Sequence, residues 1–165
     1  MSKNLLADIF ALSANLVEAA RSSETTIATA ESCTGGLIGA AITSTPGSSA
    51  VFYGGIIAYH NAIKTGQLAV KPETIKTHGA VSEEVAKEMA SACREKLGVD
   101  IAVSVTGIAG PGGGTKDKPI GTVWIGLATM DGVSAKRYNF TNQSRNKVRD
   151  YTCLEAMKTM LTAIG

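Results

Sequence analysis

The stretch Ala30-Glu31-Ser32-Cys33-Thr34-Gly35-Gly36 puts a hydroxyl, a thiol and a glycine pair into one short turn. It follows a β-prone run, Thr25 to Ala30, and precedes an apolar run, Leu37 to Ile42, so it reads as strand, turn, helix. Gly35 and Gly36 allow backbone to approach a ligand with no Cβ in between. A helix starting there presents unpaired N–H groups and a partial positive charge, which stabilise an oxygen as it becomes an anion. Ser32 is therefore a candidate nucleophile, with the amides of Thr34, Gly35 and Gly36 as a candidate oxyanion hole. The plainer alternative is that Ser32 or Thr34 only caps the helix.

A serine nucleophile needs a base. Neither histidine, His60 or His78, is an obvious partner by position, so a Ser-His-Asp triad is weakly supported. A lysine can serve if burial or neighbours hold it neutral. Lys64 follows the β-prone run Val51 to Tyr59. If that strand neighbours the strand before Ser32, the ends of both meet at one sheet edge, where Tyr59 could relay or orient a proton. The alternatives are a solvated helix lysine and a half-buried strand aromatic. Cys33 is a second candidate nucleophile, because a thiol at a helix start is more acidic than usual. Adjacent side chains in a turn diverge, however, and an unpaired cysteine is commonly a small buried hydrophobe.

Two further features invite an anion. The glycine-rich segment Gly107 to Lys118 matches neither the Walker loop nor the G-x-G-x-x-G fingerprint. Its successive amides could form an anion nest, or it is a long connection only. Arg145, near the start of the last helix, is a cation where a helix N-terminus disfavours one, so a phosphate or carboxylate partner suits it.

The elements that must position these groups follow from periodicity. Leu5, Leu6, Ile9, Leu12, Leu16, Val17 and Ala20 predict a helix over about Asn4 to Arg21. After the Ser32 turn comes a helix over about Gly35 to Thr43, then a loop at Thr45-Pro46-Gly47-Ser48-Ser49. The run Val51 to Tyr59 is a strand with a bulge or close approach at Gly54-Gly55. Asn61 is the expected cap of a short helix, Ala62 to Leu68. Val70 to Gly79 is expected to be irregular, with Pro72 breaking any helix. Ser82 caps a helix that Gly98 stops. Asp100 to Thr106 suits a strand covered on both faces. Gly121 to Met130 and Val133 to Phe140 form a hairpin about Asp131-Gly132. A last helix runs from about Ser144 to Ala163. This order predicts an α/β fold, a three-layer α/β/α sandwich with a mixed sheet, since a hairpin cannot be parallel.

Composition bounds the function. The chain has 165 residues, enough for one domain, 1–165, with little room for a second. Its 44% hydrophobic and 18% charged residues fit a well-buried globular chain, and a net charge of +2 offers no broad basic surface for nucleic acid. No apolar run is long enough to span a membrane, and Met1-Ser2-Lys3-Asn4 lacks the order of a signal peptide. Cys33, Cys93 and Cys153 are unpaired in spacing and read as reduced thiols of a cytoplasmic protein. No metal site is expected, because neither histidine shows ligand spacing with a cysteine.

Taken together, several ordered blocks resemble a known family. They are Thr29-Ala30-Glu31-Ser32-Cys33-Thr34-Gly35-Gly36, Gly47-Ser48-Ser49, Tyr59-x-Asn61-x-x-Lys64 and His78-Gly79-Ala80-Val81-Ser82-Glu83. Gly107-Ile108-Ala109-Gly110-Pro111 and Lys118-Pro119-x-Gly121-Thr122-Val123-Trp124 complete the set. Together they resemble the C-terminal domain of CinA, whose stand-alone form is the nicotinamide-nucleotide amidase. Larger members carry a further N-terminal domain, for which 165 residues leave no room.

The resemblance implies hydrolysis of nicotinamide mononucleotide to nicotinic acid mononucleotide and ammonia, with no cofactor and no metal. It assigns the nucleophile to Ser32, the base to Lys64 and an assisting hydroxyl to Tyr59. Substrate contacts are expected from Glu31, Ser48, Ser49, Thr106, Gly107, Ala109, Gly110 and Arg145. Against the family's pattern, His60 stands where many members have Ser, Ala62 where they have an acid, and Gly112 where they often have Asp. These differences touch the rim of the site. The expected partner is a small nucleotide, with no nucleic acid and no membrane, and homo-oligomerisation stays open. The competing reading is a non-catalytic nucleotide-binding module tied to competence or DNA damage, and ammonia release separates the two.

Overall fold

The computed structural model describes residues 4–165, so the expectation for Met1 to Lys3 lies outside the described residues. Five strands form one sheet in the order β2-β1-β3-β4-β5. They are β1 (Ile27–Glu31), β2 (Phe52–Ile57), β3 (Ile101–Gly107), β4 (Thr122–Thr129) and β5 (Gly132–Asn139). β1 lies parallel to both β2 and β3, whereas β3-β4 and β4-β5 are antiparallel, so the sheet is mixed. Helices α1 (Leu5–Ser22), α2 (Leu37–Thr43) and α6 (Arg145–Ile164) cover one face. Helices α3 (Asn61–Leu68), α4 (Pro72–His78) and α5 (Glu83–Leu97) cover the other. This is the three-layer α/β/α sandwich that the element order predicts.

The two faces pack differently because their side chains differ in size. Toward α1, α2 and α6 the sheet presents Ile27, Val103, Val105, Val123 and Ile125, which meet Leu16, Ile38, Ile42, Met157 and Met160. Toward α5 it presents Ala28, Ala30 and Ala102, and α5 settles close through Val85, Met89 and Cys93. At Gly126 a Cβ would stand 2.4 Å from the Ala86 carbonyl oxygen, which already accepts from Ser104 Oγ at 2.6 Å. β1 and β3 are covered on both sides, as their apolar runs require.

Local signals account for most boundaries. Ser82 and Ser144 accept from the amides three residues on and cap α5 and α6. Gly98 ends α5 in the left-handed region, and Asp131-Gly132 turns the β4-β5 hairpin. The bulge falls at the expected glycines: Ile27 pairs with Phe52 but Ala28 with Gly54, and Gly55 lies against Thr29.

Three expectations are corrected. Residues 72–78 are helical, because Pro72 sits at the first position, where the missing N–H costs nothing, with Glu73 and Lys76 suiting the dipole. The cap of α3 is His60, whose Nδ1 accepts from the Ala62 amide at 3.1 Å; Asn61 is already inside the helix. The second helix begins at Leu37, since Gly35 and Gly36 both have positive φ.

Candidate active site

The site forms where the three parallel strands end. β1 is the middle strand of the trio, and Ser32 is the first residue beyond it. The Ser32 amide donates to the Val105 carbonyl of β3 at 3.0 Å, while the Ala58 amide beyond β2 donates to the Glu31 carbonyl at 2.8 Å. These bonds hold Ser32 between its neighbours at the carboxyl edge of the sheet, where open α/β sheets place their ligand crevices. A cleft of about 200 Å³ opens there. It is lined by Ser32, Cys33, Tyr59, Asn61, Lys64, Ala80, Val81, Thr106, Gly107, Ala109 and Arg145.

Lys64 comes from α3 and folds back into this edge. Its Nζ lies 2.9 Å from Ser32 Oγ and donates to the Ala58 carbonyl at 2.8 Å. The residue is 2% exposed, among the largest side chains buried in the protein. Burial holds its pKa below the ordinary lysine value, and only a Cys33 thiolate would pull it back up. Cys33 lines the same cleft, but burial, reinforced by the Glu31 carboxylate, pushes its thiol up to about 12. A neutral thiol beside a lysine of lowered pKa favours Ser32 over Cys33 as the group to be activated.

The turn that follows is held by Glu31. Its carboxylate is 2% exposed and accepts from Thr34 Oγ1 at 2.7 Å and from the amides of Gly36, Ile38 and Gly39 at 3.0, 3.1 and 2.8 Å. It also accepts from Thr29 Oγ1 at 3.2 Å. Glu31 is therefore absorbed in capping α2 and does not line the cleft, contrary to its expected contact with substrate. Two of the three expected oxyanion donors are already engaged. The Gly36 amide is spent on Glu31, and the Gly35 amide donates to the Ser32 carbonyl at 3.1 Å. Among the described residues, the amides of Cys33 and Thr34 donate to no protein acceptor.

The remaining expected contacts divide. Thr106, Gly107 and Ala109 line the cleft, and Thr106 Oγ1 donates to the Ala80 carbonyl at 2.7 Å, tying the wall formed by Ala80 and Val81 to β3. Arg145 spans the mouth: Nη1 donates to the Gly110 carbonyl at 2.6 Å and Nη2 to the Tyr59 hydroxyl at 2.7 Å. Tyr59 thus meets Arg145 and makes no hydrogen bond to Ser32 or Lys64. Gly110 contributes its carbonyl to Arg145, outside the lining. Most of the glycine-rich loop points away, with residues 111–117 exposed. Ser48 and Ser49 do not reach the cleft. They precede β2, whose first residue pairs with Ile27, so they lie at the opposite end of the sheet.

Sequence reasoning missed Ala58, Asn61, Ala80, Val81 and Arg149. Ala58 acts through its carbonyl, which no residue type announces. Arg149 Nη2 donates to the Thr34 carbonyl at 2.8 Å across 115 residues of chain. Among the described residues no cluster of three or more His, Cys, Asp or Glu side chains is gathered as metal ligands. No helix among them is long and apolar enough to cross a membrane.

A mixed sheet between two helical layers, with its cleft beyond the ends of the parallel strands, defines the class as an α/β protein with an edge-of-sheet site. The chain belongs to the CinA family: residues 9–164 match the CinA C-terminal domain. A CinA-like protein of Chloroherpeton thalassium is 54% identical over 127 residues, covering 77% of this chain but 30% of that protein. The chain thus spans about a third of the length of the curated relatives it matches. The crystal structure of the competence/damage inducible protein CihA from Agrobacterium tumefaciens superposes with a TM-score of 0.91 at 39% identity, covering 95% of each chain. A CinA superfamily protein from Klebsiella pneumoniae gives 0.90 at 30% identity, covering 94% of this chain and 97% of that one.

Proposed function

We propose that this cleft is the active site of a serine amidase that hydrolyses the carboxamide of nicotinamide mononucleotide, giving nicotinic acid mononucleotide and ammonia. The observation that carries the reading is the 2.9 Å approach of Lys64 Nζ to Ser32 Oγ, with the lysine buried and its pKa lowered. Structural lysines keep the ammonium in water. One withdrawn from solvent and aimed at a serine suits a general base.

Neutral Lys64 takes the Ser32 proton while the Ala58 carbonyl holds one of its N–H groups. Ser32 Oγ attacks the carboxamide carbon. The oxygen of the tetrahedral intermediate is received by the amides of Cys33 and Thr34, the two left free in the turn. The Lys64 ammonium then passes its proton to the departing nitrogen, and ammonia leaves an acyl ester on Ser32. Water attacks that ester, Lys64 takes the water's proton and returns it to Ser32, and the carboxylate is released. One lysine suffices for both transfers, which matches the engagement of Tyr59 with Arg145.

Size supports a ring-first fit. At about 200 Å³ the cleft is smaller than the roughly 300–1,000 Å³ of sites that enclose drug-sized ligands. It accommodates a carboxamide and its ring, leaving ribose and phosphate at the mouth beside Arg145. The test is ammonia release from nicotinamide mononucleotide by the purified protein. Tight nucleotide binding without ammonia would refute the amidase reading and leave a binding module. A cytoplasmic setting agrees with three buried free thiols.

A further inference from the structure

Thr34 is gripped from two sides by groups of opposite charge, neither of which lines the cleft. Its hydroxyl donates to Glu31 Oε2 at 2.7 Å, and its carbonyl accepts from Arg149 Nη2 at 2.8 Å. Thr34 itself is fully buried. Arg149 is half-buried on α6 and forms no ion pair among the described residues. A cation withdrawn from water normally takes an acid as partner. This one takes the backbone of the nucleophile turn, close enough for its charge to act on Cys33.

The turn needs such a brace. Thr34 is followed by Gly35 and Gly36, at φ +60 and +97, which impose little conformational restraint of their own. Within the turn the Thr34 carbonyl receives only a longer bond, from the Leu37 amide at 3.3 Å. Resting on the amidase reading above, we propose that Arg149 is a positioning residue for catalysis. It clamps the Thr34 carbonyl against the pull of Glu31 on the side chain, and so aims the Thr34 amide at the oxyanion. It touches no substrate atom, so it governs the rate of acyl transfer and leaves ground-state binding alone.

The test is steady-state ammonia release from nicotinamide mononucleotide by the parent, Arg149→Ala and Arg149→Lys, with thermal midpoints recorded for each. Arg149→Ala should lose about tenfold to a hundredfold in kcat, the scale of a small misplacement at a reacting centre, with KM changed by less than about twofold. Arg149→Lys, which keeps the charge but loses the guanidinium geometry, should fall between. Added guanidinium chloride should restore part of the Arg149→Ala rate, whereas sodium chloride at equal ionic strength should not. Should Arg149→Ala fail to fold, the Arg149→Lys kcat decides. Parental kcat in the folded variants, or a loss confined to KM, overturns the clamp. A parent that releases no ammonia overturns the amidase reading first, and the two failures are thereby told apart.

Discussion

Ser32 Oγ and Lys64 Nζ, 32 residues apart in the chain, lie 2.9 Å apart in the fold. The contact exists because β1 and β2 are parallel neighbours whose ends finish together, so the residue after one strand faces the helix after the other. Removing the Ser32 hydroxyl should therefore abolish ammonia release while barely touching the fold, because Ser32→Ala deletes one oxygen and keeps the Cβ that packs in the buried turn. Cys33→Ala should keep most of the activity, since that thiol is held protonated by burial. An active Ser32→Ala together with an inactive Cys33→Ala would reverse the assignment.

Lys64 links activity and stability to pH with definite signs. On the proposed reading Lys64 is a general base that acts when neutral, so kcat/KM should climb along one limb through its lowered pKa and then level off. Lys64→Met should lose at least about two decades of rate. Stability follows from the same depression. Between the folded pKa and the ordinary 10.5, the unfolded chain binds a proton that the native protein has released, so stability rises with pH. The buried thiols act in the opposite sense above 9.0, because Cys33, Cys93 and Cys153 are raised to about 12 in the fold. Thermal midpoints should therefore increase with pH up to about 9.0, and Lys64→Met should flatten that rise. An unchanged slope in the variant would mean that Lys64 is not the titrating group.

Arg145 offers its guanidinium at the mouth, where the proposed substrate carries its phosphate. Nicotinamide riboside should then be a much poorer substrate than the mononucleotide. Arg145→Ala should weaken the mononucleotide by about tenfold to a hundredfold in KM, the worth of a hydrogen bond to a charged group. It should leave the riboside nearly unaffected. Equal efficiency of both substrates in the parent would show that Arg145 reads no phosphate.

The close approach of β1 and β2 makes a stability prediction independent of chemistry. A Cβ at Gly55 would lie 2.3 Å from Thr29 Oγ1 and 3.4 Å from the Thr29 carbonyl oxygen. Gly55→Ala should cost about 1–3 kcal/mol by overpacking. Thr29→Ala removes the nearer atom, so the double variant should be more stable than the sum of the two single losses predicts. Strict additivity in urea unfolding would show that Gly55 does not meet Thr29.

The elements were legible wherever their cause is local. Ser82 and Ser144 each cap with an amide three residues away, Asp131-Gly132 closes its own hairpin, and Gly98 supplies its own left-handed stop. Pro72 misled because a proline that ends one helix and a proline that begins another have the same composition around them. His60 misled because an imidazole nitrogen does the work usually read from asparagine.

Residue types along the chain were enough to indicate the α/β order and the mixed sheet, because propensity, capping and alternation act over a few neighbours. They offered Ser32 and Lys64 only as separate candidates, which the parallel register of β1 and β2 brings within 2.9 Å. How the turn is wired was decided only by the three-dimensional course of the chain. Glu31 is an acid next to a serine in the sequence. It becomes a helix cap because the turn Ser32 to Gly36 folds the start of α2 back over the end of β1 and buries the carboxylate against the amides of Gly36, Ile38 and Gly39. Ser48 and Ser49 were separated from the cleft by strand direction, since parallel β1 and β2 place the loop before one strand at the far end from the loop after the other. Arg149 reaches Thr34 across 115 residues, and that contact exists only once α6 has docked on the sheet.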